Sequence, residues 1–187
     1  AEVPEMGPRS PRGSAGPPVA LFAGRLLPWK GIPLALRAMA ELPEWRLVII
    51  GSGPDERRLR RFARRLGLEG RVEFRGWRSR QEVLRAMREE ADVFLFPSLH
   101  DEAPFVVAEA LASGLPVVCL DHGGPAAIGR LLGESRDAHL LGDLARAMEA
   151  GAGVPVLVLS GIQGAGRDAA CLRLHRVLTA SVHARSG

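Results

Sequence analysis

Short apolar runs of strand length recur along this chain at residues 19–23, 46–50, 72–74, 93–96 and 117–120. Between them lie stretches with helical spacing at 33–42, 55–66, 80–90 and 104–113. Regular alternation of this kind leaves few folds open. Apart from Val72-Glu73-Phe74, the runs lack the apolar–polar alternation of a half-exposed strand, so they read as strands buried on both faces. Buried strands joined by helices imply an α/β fold, a doubly wound parallel sheet covered on both sides.

The stretch at 55–66 tests this pattern, because its arginines resemble a binding patch. Leu59, Phe62, Ala63 and Leu66 recur at core-facing spacing, and Arg57, Arg58, Arg60, Arg61, Arg64 and Arg65 fill the remainder. That is an amphipathic helix with a solvated arginine face. The high isoelectric point has the same arginine origin, since the formal net charge is only +4. With no tyrosine and few other aromatics to stack on bases, a nucleic-acid surface is not expected.

Residues 1–18 are rich in proline, glycine and serine and read as a flexible arm. Residues 19–130 form the expected sheet domain, and 131–187 a divergent segment packed on it. In that segment a helix is expected near 137–150, a strand at 156–159 and a helix near 167–180. Cys119 lies in an apolar run and reads as a core residue, and no cysteine pattern suggests metal. No stretch is long and apolar enough for a membrane span, and the N-terminus lacks a signal-peptide core. A soluble cytoplasmic protein is expected, with peripheral membrane contact compatible.

In an open parallel sheet, ligands collect where the strands end and the βα loops begin. The first such loop carries Arg25 and Lys30, the latter the single lysine among 25 basic residues. An ammonium and a guanidinium approach phosphate differently, and together they suit a diphosphate held from two sides. An ordinary surface lysine is the alternative. Gly51-Ser52-Gly53 follows the second strand, where glycines permit close backbone approach or simply a tight turn. The loop Ser98–Pro104 opens a helix whose first-turn amides, at Phe105 and Val106, would face an anion. Glu109 follows on an otherwise apolar surround, where a carboxylate requires a partner or a ligand hydroxyl. Asp121–Pro125 forms a fourth loop.

From about Leu21 to Ile128, the pieces GRLLPWKG, LVIIGSGP, VEFRGW, ADVFLFPS, the Asp101–Glu109 segment running into ALASGLPVV, and DHGGP follow one another in order. This stretch resembles the C-terminal, nucleotide-sugar-binding half of retaining GT-B-fold glycosyltransferases (group 1, family 4-like). The resemblance implies one Rossmann-like half of a GT-B architecture that binds a nucleotide-diphosphate sugar as donor substrate. No metal and no separate cofactor are implied. Arg25 and Lys30 would hold the diphosphate. Glu109 would bond the ribose hydroxyls, and Asp101, with the loop amides of Phe105 and Val106, would address the transferred sugar. Gly24, Gly51, Gly53 and Glu102 complete the implied donor contacts. Asp101 is shorter than the residue usual there, with Glu102 adjacent; Pro104 stands where glycine is common, and Ala127 where an acid is common. Catalysis would need an acceptor-binding N-terminal half or partner chain.

Two other readings follow from the tail. Gly161–Asp168 follows an apolar run and has the glycine spacing of a P-loop, which would make an ATP-dependent phosphotransfer module. However, Arg167 and Asp168 replace the lysine and hydroxyl residue that chemistry requires. A non-catalytic binding remnant is the third reading.

Overall fold

The structure is a computed structural model that describes residues 16–101, 105–120, 124–125, 134–137 and 155–159. The chain runs β1 (Val19–Ala23), a 3-10 turn (Pro28–Lys30), α1 (Ile32–Glu41), β2 (Arg46–Ile50) and α2 (Glu56–Arg65). It continues through β3 (Val72–Gly76), α3 (Arg80–Glu89), β4 (Val93–Phe96), α4 (Phe105–Ala112) and β5 (Val117–Leu120). Two further strands, β6 (Glu134–Asp137) and β7 (Pro155–Leu159), follow.

The strands form a parallel sheet in the order β3-β2-β1-β4-β5-β7-β6. Every residue of β1, β4 and β5 is buried, as are four of the five in β2, so these strands are apolar on both faces. Burying each Leu, Ile or Phe side chain contributes about 1.5–3 kcal/mol before entropy is counted. Helix α1 packs beside α2 and α3 beside α4, which right-handed crossovers place on opposite faces of the sheet. On α2, Leu59 and Ala63 are buried while all six arginines are exposed, so the arginine face is solvated. Arg58 is held by Asp55 and Arg60 by Glu56.

The strand order places the site. From β1 the chain steps outward to β2 and β3, then returns to lay β4 on the other side of β1. The loops after β1 and β4 therefore diverge and leave a crevice at the carboxyl edge. Asp92, just before β4, fixes this junction from below. Its buried Oδ2 accepts from Val19 N at 2.8 Å, and its own N–H donates to Val19 O at 2.8 Å.

At the C-terminal edge, Glu134–Asp137 is a strand, and Asp137 ends it rather than opening a helix. Its sequence, ESRD, has no apolar residue to signal burial, and it lies at the sheet's margin beyond β7. The remainder of the expected helix, the one near 167–180 and the glycine-rich Gly161–Asp168 lie outside the described residues.

Candidate functional site

The loops after β1 and β4 are joined before any side chain enters the site. Gly31 closes the 3-10 turn with φ +66°, and a Cβ there would lie 1.7 Å from the Pro97 carbonyl oxygen. Only glycine permits both the left-handed conformation and that approach. Across the same seam, Leu99 N donates to Trp29 O at 2.8 Å, and Ser98 Oγ donates to it at 3.3 Å. The seam brings Lys30 to Asp101, which is 71 positions away in sequence.

Lys30 Nζ donates to both Asp101 carboxylate oxygens at 2.7 Å and lies 5.2 Å from the centre of the Phe96 ring. The two side chains are 13% and 18% exposed. A part-buried ammonium here replaces its water shell with a carboxylate and a ring face. Arg25 lies on the same cleft, exposed, and its guanidinium has no hydrogen bond among the described residues.

The loop after β2 forms the floor. A Cβ on Gly51 would lie 1.9 Å from Gly24 O, and one on Gly53 would lie 2.3 Å from Leu26 O. These glycines make room for the chain's own β1 loop. Leu26 N donates to Ser52 O, and Asp55 N to Leu26 O, locking the two loops together.

The opposite wall comes from α3 and α4. A capping box starts α3: Ser79 Oγ accepts from Glu82 N, and Glu82 Oε2 accepts from Ser79 N. The next residue, Arg80, donates from Nε to Glu109 Oε1 at 2.5 Å. Glu109, 22% exposed, lies on α4 and lines the cleft beside Phe105 and Val106. Trp77, 71% exposed, and Arg78 extend this wall at the end of β3.

One open cleft of about 760 Å³ unites these groups. Gly24, Arg25, Lys30, Gly51, Gly53, Asp101, Phe105, Val106 and Glu109 all line it; Glu102 lies outside the described residues. Sequence reasoning passed over Trp77, Arg78 and Arg80. They follow β3 at the sheet's carboxyl edge, so the rule that selected the other loops covers them too. Among the described residues no group of three or more His, Cys, Asp or Glu is assembled. The cleft pairs the two cations of the β1 loop, Arg25 and Lys30, with two carboxylates and an exposed indole, a surface suited to a ligand carrying phosphate, hydroxyls and a flat ring.

The family model for glycosyl transferases group 1 matches residues 9–131. Among curated relatives, the putative colanic acid biosynthesis glycosyltransferase WcaL of Escherichia coli (strain K12) is 36% identical over 133 residues. That match covers 66% of this chain and 32% of WcaL, so the chain spans about a third of that relative's length. The crystal structure of WaaG, a glycosyltransferase involved in lipopolysaccharide biosynthesis, superposes with a TM-score of 0.61 at 20% identity. It covers 92% of this chain and 43% of WaaG. Anabaena HepE, solved with UDP and glucose, gives 0.60 at 23% identity, over 93% of this chain and 45% of its own. The fold is thus the Rossmann-like half of a GT-B architecture.

Proposed function

The chain belongs to the glycosyl transferases group 1 family, and from that premise we propose that it binds the nucleotide-diphosphate sugar donor for retaining transfer to an acceptor hydroxyl. The observation that carries the reading is the convergence of Arg25, Lys30, Asp101 and Glu109 on one cleft at the β1–β4 switch point. Arg25 and Lys30 take the diphosphate and offset the charge that grows on it as the sugar leaves. Helix α4 adds its first-turn amides at Phe105 and Val106, which have no acceptor within the helix. Asp101 holds the Lys30 ammonium in the cleft and, with the loop amides, meets the sugar. Glu109 accepts from the ribose hydroxyls.

Trp77, at the far end of the cleft, offers its exposed face to the base. UDP in the HepE complex is a nucleoside diphosphate, the moiety that a donor of the proposed class carries. In this reading the acceptor belongs to an N-terminal half or partner chain, and turnover needs both halves. Cys119 is buried in β5, and a cytoplasmic setting is part of the same proposal. Among the described residues no helix is long and apolar enough to cross a membrane.

A thermal-shift panel of nucleoside diphosphates and nucleotide sugars tests the reading, because a ligand of the folded state raises its melting temperature. One base class should stabilise the chain, and Lys30→Ala and Glu109→Ala should each abolish the gain. Absence of stabilisation by every nucleotide would overturn it.

A further inference from the structure

We infer that Arg80 is the positioning residue for Glu109, and that the pair makes the cleft select ribonucleotides over deoxyribonucleotides. The inference rests on the donor-binding reading and deepens it.

Arg80 is the first residue of α3, where a cation opposes the positive end of the helix dipole. Helix stability therefore gives no reason for an arginine there, and the Ser79–Glu82 capping box already satisfies that terminus. What Arg80 does reach is another element. It spans from α3 to α4, 29 positions along the chain, and meets Glu109 with its Nε alone. The contact occupies Oε1 and leaves Oε2 without a hydrogen bond among the described residues. Glu109 lines the cleft, so the carboxylate is held by one oxygen and offers the other. A glutamate side chain free to rotate would have to be ordered by the ligand, and Arg80 does that ordering beforehand.

Position along the sheet separates this role from a direct grip on phosphate. Arg80 follows β3, which is two strands from β1, while Arg25 and Lys30 follow β1. Two strand spacings amount to about 10 Å. Arg80 therefore starts at the nucleoside end of a ligand whose diphosphate lies on Arg25 and Lys30. A carboxylate oxygen offered there meets the ribose hydroxyls, and the 2′-hydroxyl among them is the one that deoxyribonucleotides lack.

The experiment is calorimetric titration of the full chain with UDP, GDP and ADP, their deoxyribose counterparts, and inorganic pyrophosphate. The proteins are the unaltered chain, Arg80→Gln, Arg80→Lys, Glu109→Gln and the double variant Arg80→Gln/Glu109→Gln. The unaltered chain should prefer the ribose form of its base by about tenfold, the scale of one hydrogen bond to a charged group. Arg80→Gln should cut the preference to about threefold and leave pyrophosphate affinity unchanged. Arg80→Lys should restore part of the preference. Glu109→Gln should abolish it, with no further loss in the double variant.

An unchanged ribose preference in Arg80→Gln would reduce Arg80 to a surface ion pair and overturn the inference alone. An equal loss for ribose, deoxyribose and pyrophosphate ligands would make Arg80 a phosphate contact and overturn it too. Failure of the unaltered chain to bind any nucleotide would remove the donor-binding reading and this inference with it.

Discussion

Gly53 and Gly67 are glycines for opposite reasons, and replacing each with alanine measures the difference. Gly67, just past α2, has φ +67°, and a Cβ there would meet nothing within 4 Å. Alanine at that position pays only for the left-handed backbone, about 1 kcal/mol. Gly53 has ordinary backbone angles and no space. Its Cβ would lie 2.3 Å from Leu26 O, 2.7 Å from Leu26 N and 2.8 Å from Leu26 C. Reaching van der Waals contact requires the backbone at Leu26 to retreat by about 1 Å. Leu26 is fully buried, and its N–H and carbonyl bond to Ser52 O and Asp55 N. Forcing that seam apart strains a packed region by about 1–3 kcal/mol and weakens two hydrogen bonds worth about 1 kcal/mol each. Gly53→Ala should therefore cost about 2–4 kcal/mol, against about 1 for Gly67→Ala. Urea unfolding followed by circular dichroism reads both from the shift in midpoint at constant slope. Gly53→Ala should also weaken nucleotide binding, because the β1 loop that moves carries Arg25. If Gly53→Ala proved no more costly than Gly67→Ala, the account of the β1–β2 seam would be wrong.

Asp101→Asn should release Lys30 and tighten inorganic pyrophosphate binding severalfold, since phosphate and Asp101 compete for one ammonium; equal affinity in calorimetry would show no competition. Asp92→Ala should cost about 2–3 kcal/mol in denaturant unfolding, because the buried Val19 N–H loses its acceptor; a cost below about 0.5 kcal/mol would remove Asp92 as the anchor of β1. The Arg75 guanidinium bonded to Glu73 holds that carboxyl below its ordinary value. Its folded-state value is the lower one, so its stabilisation is complete above the unfolded carboxyl range, near pH 4.3, and is lost as pH falls through the depressed value. The fall in urea midpoint on acidification below about pH 4 should accordingly be shallower in Glu73→Gln, and an identical profile would show that the Arg75 contact does not persist in solution.

The sheet was legible because β1, β2, β4 and β5 are buried on both faces and therefore appear as unbroken apolar runs. Helix α2 was legible for the complementary reason, its core stripe standing out against six arginines. Strand β6 was not, since a marginal strand of polar residues leaves no periodic signal. The site was legible as a set of loops and less so as a set of contacts. Lys30 and Asp101 were each assigned to a ligand, while their bond to each other depends on the Gly31–Pro97 approach, which no local pattern announces. Gly51 and Gly53 were identified as special positions, yet the backbone they admit is the chain's own. Arg80 escaped notice because its meaning lies in a partner on a different helix.

The order of strands across the sheet differs from their order of synthesis. Strand β6 leaves the ribosome before β7 but lies outside it, so it has no neighbour until β7 slots against β5. During that interval β5 presents an open row of backbone donors and acceptors beside the most apolar part of the molecule. The five strands from β3 to β5 can assemble as they emerge, whereas the last two must be fitted in reverse. A nascent chain stalled between Asp137 and Pro155 would thus carry a nearly finished cleft together with a sticky flank, the combination that recruits chaperones or drives association between neighbouring nascent chains.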